Sequence, residues 1–156
     1  MASQIANRAK GRFAEWAERV NANDPANSVF VLDLLATAGL ETDAVLLDKD
    51  DFAALVAGTT DFATGTGWAR KTFDQTGGLT VTYDDTNERV DVDLPDQTWT
   101  AVADAASDVS KIVFGYDSDS AAGTDANILF LSHHDWVIAP TGADVTATIA
   151  VFARAA

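Results

Sequence analysis

The sequence predicts a mainly β fold: an antiparallel β-sandwich or barrel-like domain preceded by an amphipathic N-terminal helix, with one further short helix. Three observations predict it. Leu79, Val81 and Tyr83 alternate with Thr80 and Thr82, and after the turn-rich run Asp84 to Glu88 the residues Val90, Val92 and Leu94 alternate with Arg89, Asp91 and Asp93. That is the period of two that a half-buried hairpin needs. From residue 68 onward strand-like runs are separated by short turns, without the helical crossovers that parallel pairing requires. Residues 5 to 20, by contrast, repeat apolar side chains at helical spacing.

In the first unit Ile5, Ala9, Phe13, Trp16, Ala17 and Val20 form the apolar stripe, while Arg8, Arg12, Glu15 and Arg19 lie away from it. Gly11 weakens such a helix by about 1 kcal/mol relative to Ala, so packing of the Phe13 and Trp16 face has to help hold it. Two readings of this unit stand side by side: a helix docked on its own domain, and a basic arm (Arg8, Lys10, Arg12, Phe13, Trp16, Arg19) that docks on a partner protein. The predicted division is therefore a basic N-terminal arm over residues 1 to 20 and a single β-rich domain over 21 to 156.

Residues 21 to 27 are rich in turn formers, and Ser28 to Leu35 (SVFVLDLL) is a nearly continuous apolar run that reads as a buried strand. Asp33 is the anomaly in it: a carboxylate there points to water or is paired. A short strand is expected at Ala44 to Leu47. One of Asp48, Asp50 and Asp51 is expected to cap a short helix over Phe52 to Ala57, and Gly58 to Gly67 reads as a loop. Trp68 to Phe73 returns as a strand, Pro95 ends the hairpin, and further strands are expected at Thr98 to Val102 and Lys111 to Tyr116. Asn127 to Leu131 is another, His133-His134-Asp135 reads as a strand corner, Asp135 to Ala139 follows, and Val145 to Phe152 closes the chain.

Composition bounds the function. At 156 residues the chain suits one domain, burying roughly two-thirds of its unfolded surface. Ten basic against 24 acidic residues give a formal charge of −14, which disfavours binding to nucleic acid. The charge is uneven: residues 1 to 20 hold Arg8, Lys10, Arg12 and Arg19 against Glu15 and Glu18. There is no cysteine, hence neither a disulfide framework nor a thiolate site. The first twenty residues have no long apolar core like that of a signal peptide, and no run of about eighteen apolar residues occurs, so no membrane span is expected.

Motifs for chemistry are sparse. Asp117, Asp119 and Asp125 sit with serines and Gly123 in a polar loop that invites a calcium reading, but the spacing lacks the glycine and the terminal glutamate of the EF-hand. His133 and His134 are the only histidines, and as strand neighbours they point to opposite faces and do not readily chelate one metal. No serine-nucleophile motif, HExxH or glycine-rich phosphate loop accompanies them. The expectation is a protein that is not an enzyme and has no catalytic, metal or cofactor residues. A hydrolase using Asp33, His133 or His134, and a carbohydrate module using Trp68, Trp99 or Trp136, remain the readings from other classes.

Three stretches carry a resemblance: NRAKGRFAEWAERVNANDPANS at 7 to 28, DDTNERVDVDLPDQTWTA at 84 to 101, and YDSDSAAGTDANILFLSHHDWVIAPTGADVTA at 116 to 147. Together they resemble a family of small virion proteins of tailed bacteriophages infecting actinobacteria, encoded among the head and tail structural genes. The likeness spans nearly the whole chain. Its most specific part is DDTNxR, then DLPDxTWTA, then YDxDxxxGTDAxxxxLxxHD. The resemblance implies a structural protein of the virion made in the host cytoplasm, a decoration or minor capsid protein on the outer head surface whose partner is the major capsid protein. A homo-oligomer, a trimer at a lattice symmetry point, goes with that reading, and a minor tail or fibre-associated protein is the alternative.

Overall fold

The longest antiparallel pair occupies the middle of the fold. The computed structural model describes residues 3–9, 11–149 and 152–155. In chain order its elements are β1 (Ser3–Ile5), a 3₁₀ turn at Asn7–Ala9, α1 (Phe13–Ala22), β2 (Val29–Ala36), α2 (Asp43–Leu47) and α3 (Phe52–Leu55). Then come β3 (Lys71–Phe73), β4 (Thr80–Asp84), β5 (Arg89–Asp93), β6 (Gln97–Trp99), β7 (Val109–Asp117), a 3₁₀ turn at Asp125–Asn127, β8 (Ile128–Ile138), β9 (Val145–Ala147) and β10 (Ala153–Ala155). The fold is mainly β and sandwich-like, and among the described residues all the strand pairs are antiparallel. One sheet runs β1-β8-β7-β2-β3, a second β10-β5-β4, and β6 pairs with β9.

Register sorts the side chains of the large sheet onto two faces, because directly opposed residues point the same way. Phe30, Leu32 and Leu34 of β2 oppose Tyr116, Phe114 and Ile112 of β7, and Phe114 and Ile112 oppose Ser132 and His134 of β8. Over this first face lie Phe13 and Trp16 of α1, Phe152, and Trp99 of β6, whose ring meets Trp136 at 5.7 Å between centroids. The second face carries Val31, Asp33 and Leu35 opposite Gly115, Val113 and Lys111, then Phe130, His133 and Asp135. Leu131 is the extra residue of a bulge between the Phe114–Ser132 and Gly115–Phe130 pairs, and this puts Phe130 and His133 on one face. α3 covers this face through Phe52, so close to Gly115 that a Cβ there would lie 2.7 Å from the Phe52 ring.

Several expected elements differ. The N-terminal helix begins at Phe13 rather than Ile5: Gly11 has φ +78°, a left-handed conformation that glycine adopts freely, and the chain before it forms β1 on the edge of the large sheet. Residues 3 to 22 thus share the core of the rest of the chain, with Phe13, Trp16, Ala17 and Val20 all buried in it. Ala44 to Leu47, expected as a strand, belongs to α2, because a short apolar run has no periodicity that separates the two forms. There are accordingly two short helices beside α1 among the described residues. Asp51 caps the second, accepting a hydrogen bond from the Ala54 amide at 2.7 Å.

His133 to Asp135 is no corner; β8 runs straight through it to Ile138. Only Lys71–Phe73 of the expected strand from Trp68 is strand, and of the one at Thr98 to Val102 only Thr98 and Trp99 are, in a β6 that begins at Gln97. Of the closing strand expected at Val145 to Phe152 only Val145–Ala147 is strand, β10 starts after it at Ala153, and Ala150 and Val151 of that expectation lie outside the described residues. Among the described residues no helix is long and apolar enough to cross a membrane.

Candidate functional site

The predicted partner-binding residues separate into two groups on α1. Phe13 and Trp16 keep only 7% and 2% of their surface exposed, since Trp16 stacks on Tyr116 (centroids 5.9 Å, 21° between planes) and Phe13 meets Phe152 edge-on at 5.3 Å. A side chain held this way serves the core of its own domain and is not presented to a partner, which corrects the expectation for these two residues. Arg12 and Arg19 are exposed. Both reach Glu15, at 3.1 Å each, across the i,i+3 and i,i+4 spacings of one helix face. Arg12 and then Arg19 hold the Glu15 carboxyl below its ordinary range. The Arg12 guanidinium also lies 4.9 Å over the Trp16 ring. Glu18, one turn along, accepts a hydrogen bond from Tyr83 of β4 and ties the helix to the second sheet. The Arg8 side chain and all of Lys10 lie outside the described residues.

The second face of the large sheet holds the buried charges. Arg70 donates from Nε to Asp33 at 2.7 Å and from Nη1 to Asp125 at 2.6 Å, while its guanidinium lies over the Phe52 and Phe62 rings. Burial pushes the Asp33 carboxyl up, and the Arg70 hydrogen bond opposes this without overcoming it. Burial also opposes the charge of Arg70, but its hydrogen bonds to Asp125 and Asp33 prevail and hold its pKa above the ordinary value.

A second cluster joins three elements. Lys111 of β7, 5% exposed, sits 2.8 Å from Asp43 of α2 and 2.5 Å from Asp135 of β8. Burial works against its charge, and the bonds to Asp135 and Asp43 outweigh it. Gln4 of β1 adds a bond to Asp43 at 3.4 Å, and Asn7 bonds Asp48 at 2.8 Å, so α2, whose Leu46 alone is fully buried in the core, is tied to the sheet edge by polar contacts as well. Beside this cluster His133 is fully buried, parallel to the Phe130 ring, with neither imidazole nitrogen hydrogen-bonded.

His134 points to the other face, as neighbours on a strand must. Its Nε2 is 3.2 Å from Ser132 Oγ, at the wall of a hollow of about 190 Å³ that Ile5, Phe13 and Phe152 also line. Burial, and then the charge of His133, lowers its pKa. Ser132, 2% exposed, lines the same hollow. The three aspartates of the calcium-like loop are committed separately: Asp117 accepts from the Asp119 amide, Asp119 from Asn27, and Asp125 from Arg70. Among the described residues no three His, Cys, Asp or Glu side chains are grouped to hold a metal ion. Trp68, Trp99 and Trp136 pack against each other, and Trp99 is buried, so they do not form an open stacking platform.

Sequence reasoning singled out Asp33 but not its partner Arg70, and it passed over Lys111, Asp43 and Asp135. One signal was present: Lys111 follows Val109 and precedes Ile112, Val113 and Phe114, so it is a charge in a buried strand just as Asp33 is. Comparison with protein-family models, with curated proteins and with solved structures gives no match.

Proposed function

We propose that this protein is a non-enzymatic structural component of a virion, a decoration or minor capsid protein that binds the major capsid lattice from outside through the outward face of α1. The observation that carries the reading is the Arg12–Glu15–Arg19 group: two exposed guanidiniums around one carboxylate, with Glu18 of the same helix turned to Tyr83, on a chain of net charge −14. Such a patch gives an acidic protein one orientation in which it meets an acidic partner surface without repulsion. The helix bearing it is fixed by Phe13, Trp16 and Val20 in the core, so the patch is presented in one geometry. The sequence resemblance to phage virion proteins points the same way. Residues of the resembling stretches make scaffold contacts: Asp84 accepts from the Asn87 amide within its turn, while Asp96 accepts from the Ile149 amide and Asp144 from the Ala101 amide, joining segments far apart in the chain. They preserve a scaffold.

The test is cosedimentation of the purified protein with phage heads and, separately, with tails. Binding to heads that Arg12→Glu with Arg19→Glu abolishes, with the melting temperature kept, is the expected result. Binding to tails alone would assign the protein to the minor tail or fibre-associated class, and binding to neither would remove the virion reading. Sedimentation equilibrium giving the mass of three chains is expected for a protein placed at a lattice symmetry point.

A further inference from the structure

The cluster of Lys111, Asp43, Asp135 and His133 has no place in partner binding, and it contains an arrangement that a purely structural cluster does not need. We propose that it is an acid-operated latch: a proton added to the His133 imidazole sets it in competition with Lys111 for the Asp43 carboxylate, and α2 with β1 then comes away from the sheet. The groups that face His133 are Lys111 from β7, Asp43 from α2 and Asp135 from its own strand, while Gln4 opposes it from β1. In the closed form the ring is neutral, stacked on Phe130 at 6.3 Å, with both nitrogens unpartnered. A charged imidazole at 0% exposure must find an acceptor. The carboxylates within its field are engaged by the Lys111 ammonium.

Of the two acids, Asp135 is anchored in an eleven-residue strand, whereas Asp43 opens the five-residue α2. That helix has no side-chain cap at Thr42, and so short a helix depends on its tertiary contacts. α2 is the element that yields. β1 follows because Gln4 bonds Asp43 and Asn7 bonds Asp48. Burial, and next the Lys111 charge, keep the His133 pKa below its ordinary value in the closed form. In the open form the ring titrates normally, so the open form binds the proton more tightly and gains as pH falls below about 6.5.

Hydrogen exchange on the full chain at about pH 7.5 and about pH 5.5, read as protection factors that correct for the intrinsic pH effect, tests this. Amides of Asp43–Leu47 and Ser3–Ile5 should lose about tenfold in protection between the two conditions, with β2 and β7 unchanged. His133→Phe keeps the ring and removes the His133 titration, and the selective loss of protection in α2 should vanish in it. His134→Phe, on the opposite face, should respond like the native chain. If His133→Phe does not fold, an NMR titration of the native chain replaces it, the His133 protonation midpoint coinciding with the shift of the α2 amides. Unchanged protection in the native chain, the same loss in His133→Phe, or His133 titrating while α2 stays still would each overturn the latch.

Discussion

Arg70 reaches Asp33 at 2.7 Å from outside the strand that carries the aspartate, and this contact, with the Leu34 amide donating to the other carboxylate oxygen at 2.8 Å, explains how a carboxylate 8% exposed survives in the middle of β2. Cutting the pair from one side should cost more than removing it. Arg70→Leu leaves Asp33 buried and uncompensated and is expected to lower stability by about 3 kcal/mol, whereas Arg70→Leu combined with Asp33→Leu should recover more than half of that loss. Urea unfolding of the two single variants and the double variant closes the cycle. A double variant as unstable as the sum of the singles would mean that the pair is not the reason Asp33 is tolerated.

The two halves of α1 should behave oppositely. Trp16→Ala removes a ring stacked on Tyr116 and is expected to cost about 3–5 kcal/mol, enough to threaten folding. Arg12→Ala and Arg19→Ala each remove an exposed ion pair with Glu15 and should change stability by less than about 1 kcal/mol. Thermal melts of the three variants separate the core role of the helix from its surface role. The separation fails if the arginine variants melt as low as Trp16→Ala.

What the sequence makes legible here follows from the range of the interaction that decides each element. The β4–β5 hairpin, β2 and β7 are set by alternation or by a long apolar run, which are local signals. The stripe from Phe13 to Val20 is equally local, but whether it buries in its own domain or against a partner is decided by Tyr116 and Phe152, far along the chain. What lay beyond reach depends on neighbours distant in the chain. α2 is helical beside a lysine 68 positions away (43 to 111), and the bulge at Leu131 that turns His133 toward Lys111 leaves no compositional mark. The buried charge clusters share that property. Asp33 is 37 residues from Arg70, so alone it says only that something must pair with it.

Gly115 is required for its lack of a side chain rather than for its backbone angle. A Cβ there would lie 2.5 Å from Ile128 Cγ2 and 2.7 Å from Phe52 Cε1. Gly115→Ala is therefore expected to destabilise by about 1–3 kcal/mol through overpacking. Phe52→Leu alone leaves a cavity, but in the Gly115→Ala background it makes room, so the double variant should be more stable than additivity allows. Chemical denaturation of the set measures the coupling, and strict additivity would show that α3 can shift away from β7 freely.

Lys111→Met gives the opposite pH behaviour to that of the native chain, and the sign follows from the three charges. Lys111 has its pKa raised above 10.5, so its contribution is fully present across the neutral range and is lost only as pH rises through that raised value. Replacing the ammonium with an apolar chain of similar length leaves Asp43 and Asp135 facing each other without a cation. Because both carboxylates keep contact with water, the loss at neutral pH is expected to be about 2 kcal/mol, below that of a fully buried pair. Like charges raise carboxyl pKa values in the folded variant above their unfolded value of about 3.9, so the folded form then binds protons more tightly than the unfolded one. Stability of Lys111→Met relative to the native chain should recover as pH falls from about 7 to about 5, where the native chain is instead weakened by the buried histidines. Urea titrations of both proteins at the two pH values measure it, and a deficit that stays constant between them would show that the ammonium was not what holds the two carboxylates charged.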